Sequence, residues 1–327
     1  MKVLQITNNY PTNKYPIFGV FVKEQIDSLA QTNVLSEVFF VNGKERGKLE
    51  YVRSVIRLNK LLSKNKFDIV HCHHAFSAIV FLFSGFLGKI PSVVSFQNDP
   101  SDESRFNLFK IIKHFSTTWI FKNRSIFTDN KRGHYLPNGV NIDFFKPIDK
   151  REACLKIGIN PDKKYILFMS SNYVRKQKRY DKFQHIISEL KKWDGSIEEL
   201  TLINTQRHLV PYYFNAAALH LLTSDFEGSP NSVKEALSCN IPVVATQVGN
   251  VKELLEEVNG SYCANSFSET ELIELCKKSL TGDFVPNSRN KLIEKGYDIN
   301  NVAVELRKIY LKTIESKQKG QDKTYGF

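Results

Sequence analysis

Residues Thr223–Thr246 read T-S-D-F-E-G-S-P-N-S-V-K-E-A-L-S-C-N-I-P-V-V-A-T, and this stretch decides the fold that we expect. A short apolar run precedes it at Leu219–Leu222, and a second one lies within it at Ile241–Ala245. Between these runs of strand length, a turn-forming cluster leads into a helix-forming run, Ser232–Ser238. The pattern predicts a strand, a loop, a helix and a second strand, which is the repeating unit of a parallel α/β sheet.

Two glutamates, Glu227 in the predicted loop and Glu235 on the first turn of the predicted helix, could reach one ligand. In open parallel sheets, ligands bind at the carboxyl ends of the strands. The backbone N–H groups of Asn231, Ser232 and Val233 at the start of the helix would also bind an anion. A capping Ser or Asn and a Glu in a first turn are common without any ligand, because the helix terminus favours both. Glu227 has no such capping duty, and it favours a ligand site.

The string E-G-S-P-N-x-x-x-E-A resembles the E-x(7)-E signature of the family 4 glycosyltransferases, which are retaining sugar-nucleotide enzymes. The resemblance implies the α/β fold class GT-B, with two Rossmann-like domains facing a central cleft. It also implies that Glu235 holds the ribose hydroxyls of the nucleotide and that Glu227 orients the donor sugar. The substrate-binding residues expected in this stretch are Gly228, Ser229, Asn231, Ser232, Val233 and Glu235.

The composition indicates a globular protein with more than one core. A chain of 327 residues with 42% apolar and 24% charged residues is long enough for two domains of ordinary size. The first residues enter a strand-like run directly, and no run has the length of a membrane span, so we expect neither a signal peptide nor a spanning helix. The five cysteines are scattered singly, which is typical of reduced thiols in a cytoplasmic protein.

The net charge of +12 is concentrated in the first half of the chain. Residues 1–150 hold 21 Lys and Arg against 12 Asp and Glu, a balance of +9, and the remaining residues hold 25 against 22, a balance of +3. A basic first half indicates an acidic partner, such as an anionic membrane surface, a phosphorylated substrate or nucleic acid. No nucleic-acid-binding motif is present, so we expect no nucleic acid partner.

Short apolar runs alternate with amphipathic stretches along the whole chain, which predicts parallel sheets. The predicted strands are Val3–Ile6, Glu37–Val41, Asp68–His71, Ser92–Phe96, Ser125–Thr128, Tyr165–Met169, Leu200–Ile203, Leu219–Leu222, Pro242–Ala245 and Gly260–Cys263. The predicted helices of the first half are Val20–Leu29, Leu49–Leu62, Phe76–Leu87 and Arg105–Phe121. We expect an acceptor domain over 1–147, a nucleotide-sugar domain over 148–301, and a final helix over about 302–327 that packs back on the first domain.

Three strings of the first half extend the resemblance. A loop glycine, Gly19, precedes a helix in G-x-F-V-x-E-Q and would allow a ligand to approach the backbone closely, although a glycine taken alone is more often a plain loop residue. The strand ending D-I-V-H-C-H-H places His73 and His74 where relatives line the acceptor side. The next strand ends in Gln97, where relatives have a histidine that touches the donor sugar, and continues to Asp99, a turn former or a polar substrate-binding residue.

No metal or other cofactor is expected. The histidine spacing could suggest a metal ligand pair, but no second cluster of His, Cys or acidic residues lies at ligand spacing. No G-x-G-x-x-G string is present, so a dinucleotide cofactor has no support. The nucleotide-sugar is expected as a substrate.

A basic cluster follows the first strand of the second half. It contains Arg175 and Lys178, which resemble the R-x-x-K of the family, with Lys176 and Arg179 as competitors for the same roles. Arg binds phosphate oxygens in pairs and Lys supplies a point charge, so both suit a diphosphate leaving group. Further along, V-P-x-Y-x-N-A-A resembles the family string beside the nucleotide base, with Ala218 where Asp is usual.

Residues Arg105–Arg124 alternate aromatic and basic residues at helical spacing. Such a helix either lies on an anionic membrane or packs on the sheet with its lysines in water, and the second arrangement is the commoner one.

We expect a retaining glycosyltransferase that uses Glu227, Arg175 and Lys178 for catalysis. The expected donor is UDP-linked, and the expected acceptor is a hydroxyl of a bacterial surface glycan or of its lipid-linked precursor. The expected location is the cytoplasm, with peripheral binding at the inner face of the cell membrane. One alternative is a GT-B binding protein that has lost activity, which the departures Gln97 and Ala218 would favour. Another is a GT-B sugar-nucleotide epimerase or a phosphorylase.

Overall fold

The computed structural model describes residues 1–86, 88–97, 112, 114, 116–124 and 132–322, with side chains up to residue 318. The described strands are β1 (Lys2–Thr7), β2 (Leu35–Phe40), β3 (Ile69–Cys72), β4 (Ser92–Phe96), β5 (Thr118–Phe121), β6 (Gly133–Tyr135), β7 (Lys164–Ser170), β8 (Ile197–Ile203), β9 (Ala217–Leu222), β10 (Val243–Ala245) and β11 (Tyr262–Cys263). The described α-helices are α1 (Val20–Leu29), α2 (Gly43–Arg46), α3 (Leu49–Lys64), α4 (Ala75–Leu82), α5 (Lys150–Ile157), α6 (Tyr180–Trp193), α7 (Val210–Ala216), α8 (Asn231–Ser238), α9 (Val251–Leu255), α10 (Glu269–Thr281), α11 (Ser288–Glu294) and α12 (Ile299–Asp322).

The first of two units runs to Asn138 and resumes at Ile299. Its sheet is parallel, with the strand order β2-β1-β3-β4-β5-β6. Side chains alternate between the two faces of a strand, so Leu4 joins one core with α3 and α4 while Val3 joins another with α12. Both faces of the sheet are therefore covered, as in doubly wound folds.

The last helix, α12, belongs to the first unit. Val302, Leu306 and Tyr310 recur every four residues, lie on one face of the helix, and are buried against the sheet. The same periodicity predicted a final helix from 302, and the observed helix begins slightly earlier, at Ile299.

The second unit comprises Gly139–Asp298 and contains a second parallel sheet with the order β11-β10-β9-β7-β8. The chain enters and leaves this unit at one place, because the N–H of Val140 donates to the carbonyl of Tyr297 at 2.9 Å. The first unit ends before the boundary expected at 147. The reason is that Val140 and Phe145 are buried in the core of the second unit.

One predicted element is wrong. Thr118–Phe121, expected as the end of a helix, is strand β5, which pairs with β4 and is fully buried. Its β-branched and aromatic residues favour a strand, and burial between two neighbouring strands outweighed the helical spacing of the lysines. The predicted strand Ser125–Thr128 and most of the predicted helix from Arg105 lie outside the described residues. The other predicted strands and helices are present, Val20–Leu29 and Ser92–Phe96 with the predicted ends and the rest with shifted ends, and β6 was not predicted.

Candidate active site

The loop after β9 is tied to the loop after β7 at the carboxyl edge of the second sheet. The hydroxyl of Thr223 donates to the carbonyl of Lys178 at 2.8 Å. The N–H of Asp225 donates to the carbonyl of Gln177 at 2.8 Å. The loop that carries the predicted cations and the loop that carries Glu227 are thus held side by side.

Lys178 and Glu227 form an ion pair. The Nζ atom of Lys178 lies 2.6 Å from Oε1 of Glu227, and both side chains are mostly buried, at 12% and 13% exposure. The hydroxyl of Ser224 donates to the same carboxylate oxygen at 2.9 Å. The structure therefore brings two of the three predicted catalytic side chains together and orients the carboxylate with a second donor.

The other basic residues of this loop differ in their surroundings. Arg175 and Lys176 are exposed. Arg179 forms ion pairs with Asp181 and Asp225, and the hydrogen bond to Asp181 raises the pKa of the guanidinium. Arg179 is thus held by two carboxylates, whereas the carboxylate partner of Lys178 is Glu227.

Gly249 packs closely against the backbone of the loop that carries Glu227. Its φ is +54°, and a Cβ there would lie 2.2 Å from the carbonyl oxygen of Gly228. The N–H of Asn250 donates to that same oxygen at 3.2 Å. Only glycine fits this position, because both the backbone conformation and the space exclude a side chain.

Helix α8 begins at Asn231, directly after Pro230, and its first N–H groups have no acceptor within the helix. The hydroxyl of Ser232 is buried and has no hydrogen-bond partner among the described residues. The fully buried Lys234 places its Nζ atom 3.0 Å from the hydroxyl of the predicted loop residue Ser229. These groups make the start of α8 electropositive. Asn231, Ser232 and Val233, which were predicted to bind substrate, lie there.

Glu235 lies on the second turn of α8, not on the first turn as predicted, because the helix already begins at Asn231. The helix terminus therefore does not explain this carboxylate. Its Oε1 atom accepts a hydrogen bond from Nη1 of Arg207 at 2.9 Å, and the Glu235 side chain is 6% exposed. The Arg207 guanidinium also rests on the rings of Phe144 and Phe145, 5.4 and 4.7 Å from their centroids.

Sequence reasoning missed Arg207. The available signal was a basic residue in the loop after β8, at the same edge of the sheet as the other site loops. The string quoted as similar to the base-binding region begins only at Val210.

In the first unit, Gly19 caps α1 with φ +69°. A Cβ at this position would lie 2.3 Å from the backbone of Asn9. The close approach that the sequence predicted for a ligand is made here by the chain's own loop. Any contact of Gly19 with substrate stays a prediction.

His71, within β3, and His73, directly after it, are in the interior of the first unit. His71 bonds to the Tyr310 hydroxyl at 2.6 Å and to the Ser95 hydroxyl at 2.8 Å. Nε2 of the fully buried His73 lies 2.9 Å from Oε1 of Gln5. Burial lowers the pKa of His71 to about 3 and that of His73 well below its ordinary value, so both rings are neutral.

Among these rings, His74 has the best geometry for a ligand. Its backbone caps α4 through Ser77, and its ring Nε2 has no hydrogen-bond partner among the described residues. Burial lowers the pKa of His74 to about 4, so the ring is neutral. The burial of His73 does not favour its predicted acceptor contact, while His74 keeps that possibility.

Gln97 occupies the position of the family histidine, and both ends of its side chain are used. Its amide nitrogen donates to the carbonyl of His73 at 3.4 Å, and its amide oxygen accepts from Asn138 at 3.0 Å. Asp99 lies outside the described residues.

Within the part of the chain that the structure describes, no group of three His, Cys, Asp or Glu side chains could hold a metal ion. Among the described helices, none combines the length and the apolar character needed to cross a membrane.

The fold is that of the GT-B glycosyltransferases. A sucrose-phosphate synthase from Thermosynechococcus elongatus superposes with a TM-score of 0.76 at 12% identity, covering 97% of this chain and 100% of that chain. Anabaena HepE, solved with UDP and glucose, superposes with a TM-score of 0.69 at 16% identity, covering 94% and 98%. At such low identity, these likenesses establish the fold.

The family follows from the sequence itself. The model of the "Glycosyl transferases group 1" matches residues 176–299, and the model of "Glycosyltransferase Family 4" matches residues 19–144. A UDP-Gal:alpha-D-GlcNAc-diphosphoundecaprenol alpha-1,3-galactosyltransferase from Escherichia coli is 22% identical, over 81% of each chain. The two models together cover about three quarters of the chain. The chain belongs to the family 4 (group 1) glycosyltransferases and is a glycosyltransferase.

Proposed function

We propose that the protein transfers a sugar from a UDP-linked donor to a hydroxyl of a lipid-linked glycan precursor and retains the anomeric configuration. The supporting observation is the ion pair of Lys178 and Glu227 in the loops at the edge of the second sheet. A charge pair with this little exposure, held by neighbouring loops, is a strong candidate for a site that binds an anion and a polyol together. The retained configuration is inferred from the resemblance to a retaining family.

In this proposal, donor binding breaks the Lys178–Glu227 ion pair. The donor diphosphate binds the ammonium group of Lys178, and the freed carboxylate of Glu227 accepts hydrogen bonds from the sugar hydroxyls. Arg175 would fold onto the diphosphate, and the first N–H groups of α8 would bind the same oxygens. These positive groups would stabilise the charge that builds up on the leaving phosphate, so no metal ion is required.

Glu235 would hold the ribose hydroxyls, with Arg207 fixing the rotamer of its carboxylate. A carboxylate suits this role because its two oxygens accept hydrogen bonds from vicinal hydroxyls. The donor base proposed here is uracil, since HepE was solved with UDP and with UDP-glucose and the galactosyltransferase is named for UDP-Gal.

A lipid-linked acceptor is favoured by the same relative, whose name specifies a diphosphoundecaprenol acceptor. The charge of this chain agrees with such an acceptor, because the basic excess of +9 lies in residues 1–150. An acceptor diphosphate and an anionic bilayer would both be attracted to that half.

The proposal is tested by incubating the protein with a panel of UDP-, GDP- and ADP-sugars and lipid-diphosphate glycan acceptors, and by measuring nucleotide release. We expect acceptor-dependent release of UDP. Binding of UDP without release with any acceptor would instead indicate a binding protein, and phosphate-dependent or acceptor-free conversion would indicate a phosphorylase or an epimerase. Absence of any nucleotide binding would contradict the proposal.

A further inference from the structure

Helix α3 has an apolar stripe on its outer face. Its inner face packs on the first sheet through Leu58 and Leu62. On the opposite side, Leu49, Val52 and Ile56 are 68%, 63% and 69% exposed. Positions three and four residues apart lie next to one another on a helix, so these three side chains form one continuous stripe.

The exposed charges of α3 are all basic. Arg53, Lys60 and Lys64 are exposed beside the stripe and have no carboxylate partner among the described residues. The one acidic residue of the helix, Glu50, is buried and pairs with Arg57 at 2.5 Å. The outer face therefore combines an apolar stripe with uncompensated positive charge along one flank.

Helix α4 extends the apolar area. Phe76 is exposed on α4, and Phe83 is exposed at its C-terminal cap, one helical repeat further along the chain. The Phe76 ring lies 6.1 Å from the ring of Tyr51 on α3, and Asn59 of α3 donates to the carbonyl of Ser84 at 2.9 Å. We name Leu49, Val52, Ile56, Phe76 and Phe83, with Arg53, Lys60 and Lys64, the α3–α4 surface.

We propose that the α3–α4 surface docks the first unit on a bilayer that contains anionic lipids. Soluble domains seldom leave neighbouring large apolar side chains exposed unless a partner covers them. An amphipathic helix with a basic flank lies in the plane of a bilayer, its apolar residues reaching the acyl boundary and its cations meeting the headgroups. The absence of exposed acidic residues on α3 matches an anionic lipid surface, whose charge is negative throughout.

The sequence suggested a different membrane-facing helix, Arg105–Arg124, part of which lies outside the described residues. Of the residues expected on a membrane-facing helix over Arg105–Arg124, Ile112 and Trp119 are buried in the core. Lys122 is 1% exposed and donates to the carbonyl of Leu136 at 2.9 Å, and burial lowers its pKa to about 7. Ile112, Trp119 and Lys122 thus face inward, whereas the apolar stripe of α3 faces outward.

The inference builds on the proposed function in one respect: a lipid-linked acceptor gives the enzyme a reason to work at a bilayer. The surface itself is defined by the first unit alone. Binding to vesicles and sugar transfer are separate measurements, so either of them can fail without the other.

The test is flotation of the full-length protein with phosphatidylcholine vesicles that contain 0 or about 40 mol% phosphatidylglycerol, at low and at high salt. One variant carries Leu49→Ser, Val52→Ser and Ile56→Ser, and a second carries Arg53→Glu, Lys60→Glu and Lys64→Glu. The matched control carries Leu155→Ser and Val285→Ser, which remove two similarly exposed apolar side chains from the second unit. Thermal unfolding and UDP binding are measured for every variant.

We expect the wild type and the control to float with anionic vesicles, and each α3 variant to bind at least about tenfold more weakly while UDP affinity stays unchanged. One basic residue near an anionic surface contributes about a fivefold change in binding, and salt screens it within a Debye length of about 10 Å at 0.1 M.

Flotation that is equal in the wild type and the α3 variants would overturn the inference, as would a wild type that stays soluble at low salt. A wild-type dimer that the serine variant converts to a monomer, without flotation, would assign the surface to a second copy of the chain and also overturn it. Vesicle binding without sugar transfer would leave the inference standing and would count against the proposed function.

Discussion

Nζ of Lys178 lies 2.6 Å from Oε1 of Glu227, so two residues predicted to act on the donor hold one another in this structure. Each comes from a different loop, and backbone contacts between the loops fix their separation. A donor must compete with this internal pair. That competition is favourable only when the ligand supplies a negative charge for the lysine and hydroxyl donors for the carboxylate.

Replacing Lys178 with Ala should lower kcat far more than it changes KM for the donor. The ammonium group would meet charge that develops on the departing phosphate, and removing one such group costs about 10²- to 10³-fold in kcat. Steady-state kinetics with Lys176→Ala as the control checks this, because Lys176 is an exposed lysine of the same loop. A silent Lys178→Ala together with an impaired Lys176→Ala would show that the wrong lysine was assigned.

Replacing Glu235 with Gln should weaken UDP binding by about tenfold or more. A hydrogen bond to a charged group contributes roughly 1.5–3 kcal/mol, and the amide still offers Arg207 an acceptor, so the fold should persist. Calorimetry with UDP measures the effect, and the exposed Glu256→Gln serves as the control. Unchanged affinity in a folded Glu235→Gln protein refutes the ribose assignment.

Replacing Gly249 with Ala should displace the loop of Glu227 and lower both stability and activity. The new Cβ would meet the carbonyl oxygen of Gly228 at 2.2 Å, a distance that requires the loop to move. Gly158→Ala is the matched control, because its φ is also positive, at +75°, yet nothing lies within 4 Å of the added Cβ. The control should lose only the roughly 1–2 kcal/mol of a left-handed alanine. Equal losses in both variants would mean that the contact with Gly228 does not matter.

The first unit should lose stability as the pH falls below about 6.5. Burial lowers the pKa of His71 to about 3 from an ordinary value of 6.5, so between these values the unfolded chain binds more protons than the folded one. The free energy of unfolding therefore rises with pH across this window and reaches its full value above pH 6.5. At pH 4.5 it is lower by roughly 2–3 kcal/mol per such histidine.

Urea unfolding from pH 7 to 4.5 measures this slope. His71→Asn should remove part of it, while His208→Asn, which changes an exposed ring, should keep it. A slope that His71→Asn leaves intact would assign the pH dependence to other groups.

The fold was predictable because its signals are local. The apolar runs at Ser92–Phe96 and Leu219–Leu222 became strands, and the periodic residues of α12 became a buried stripe. Thr118–Phe121 failed because its neighbouring lysines have helical spacing, while the deciding factor is burial between β4 and β6. Such burial depends on strands far apart in sequence.

The site was predictable where a string of the sequence resembles the family and not where no such string is present. Glu227 and Lys178 were found from their strings, and their pairing follows from neighbouring strands. The pair of Arg207 and Glu235 joins a loop and a helix, and its two residues are 28 positions apart. Arg207 lies in none of the strings that resemble the family. The inward orientation of Lys122 was equally hidden, because a lysine in a sequence is by default read as exposed.

The central claim is that this site transfers a sugar from UDP with retention, and the anomeric configuration of the product tests it most directly. The measurement is an NMR spectrum of the glycan formed from an isotope-labelled UDP-sugar and a lipid-diphosphate acceptor, with the Glu227→Gln protein as the comparison. We predict that the new glycosidic bond has the configuration of the donor, and that the product is at least about a hundredfold less abundant with the variant. A product of inverted configuration, or one formed equally well by Glu227→Gln, would contradict the account.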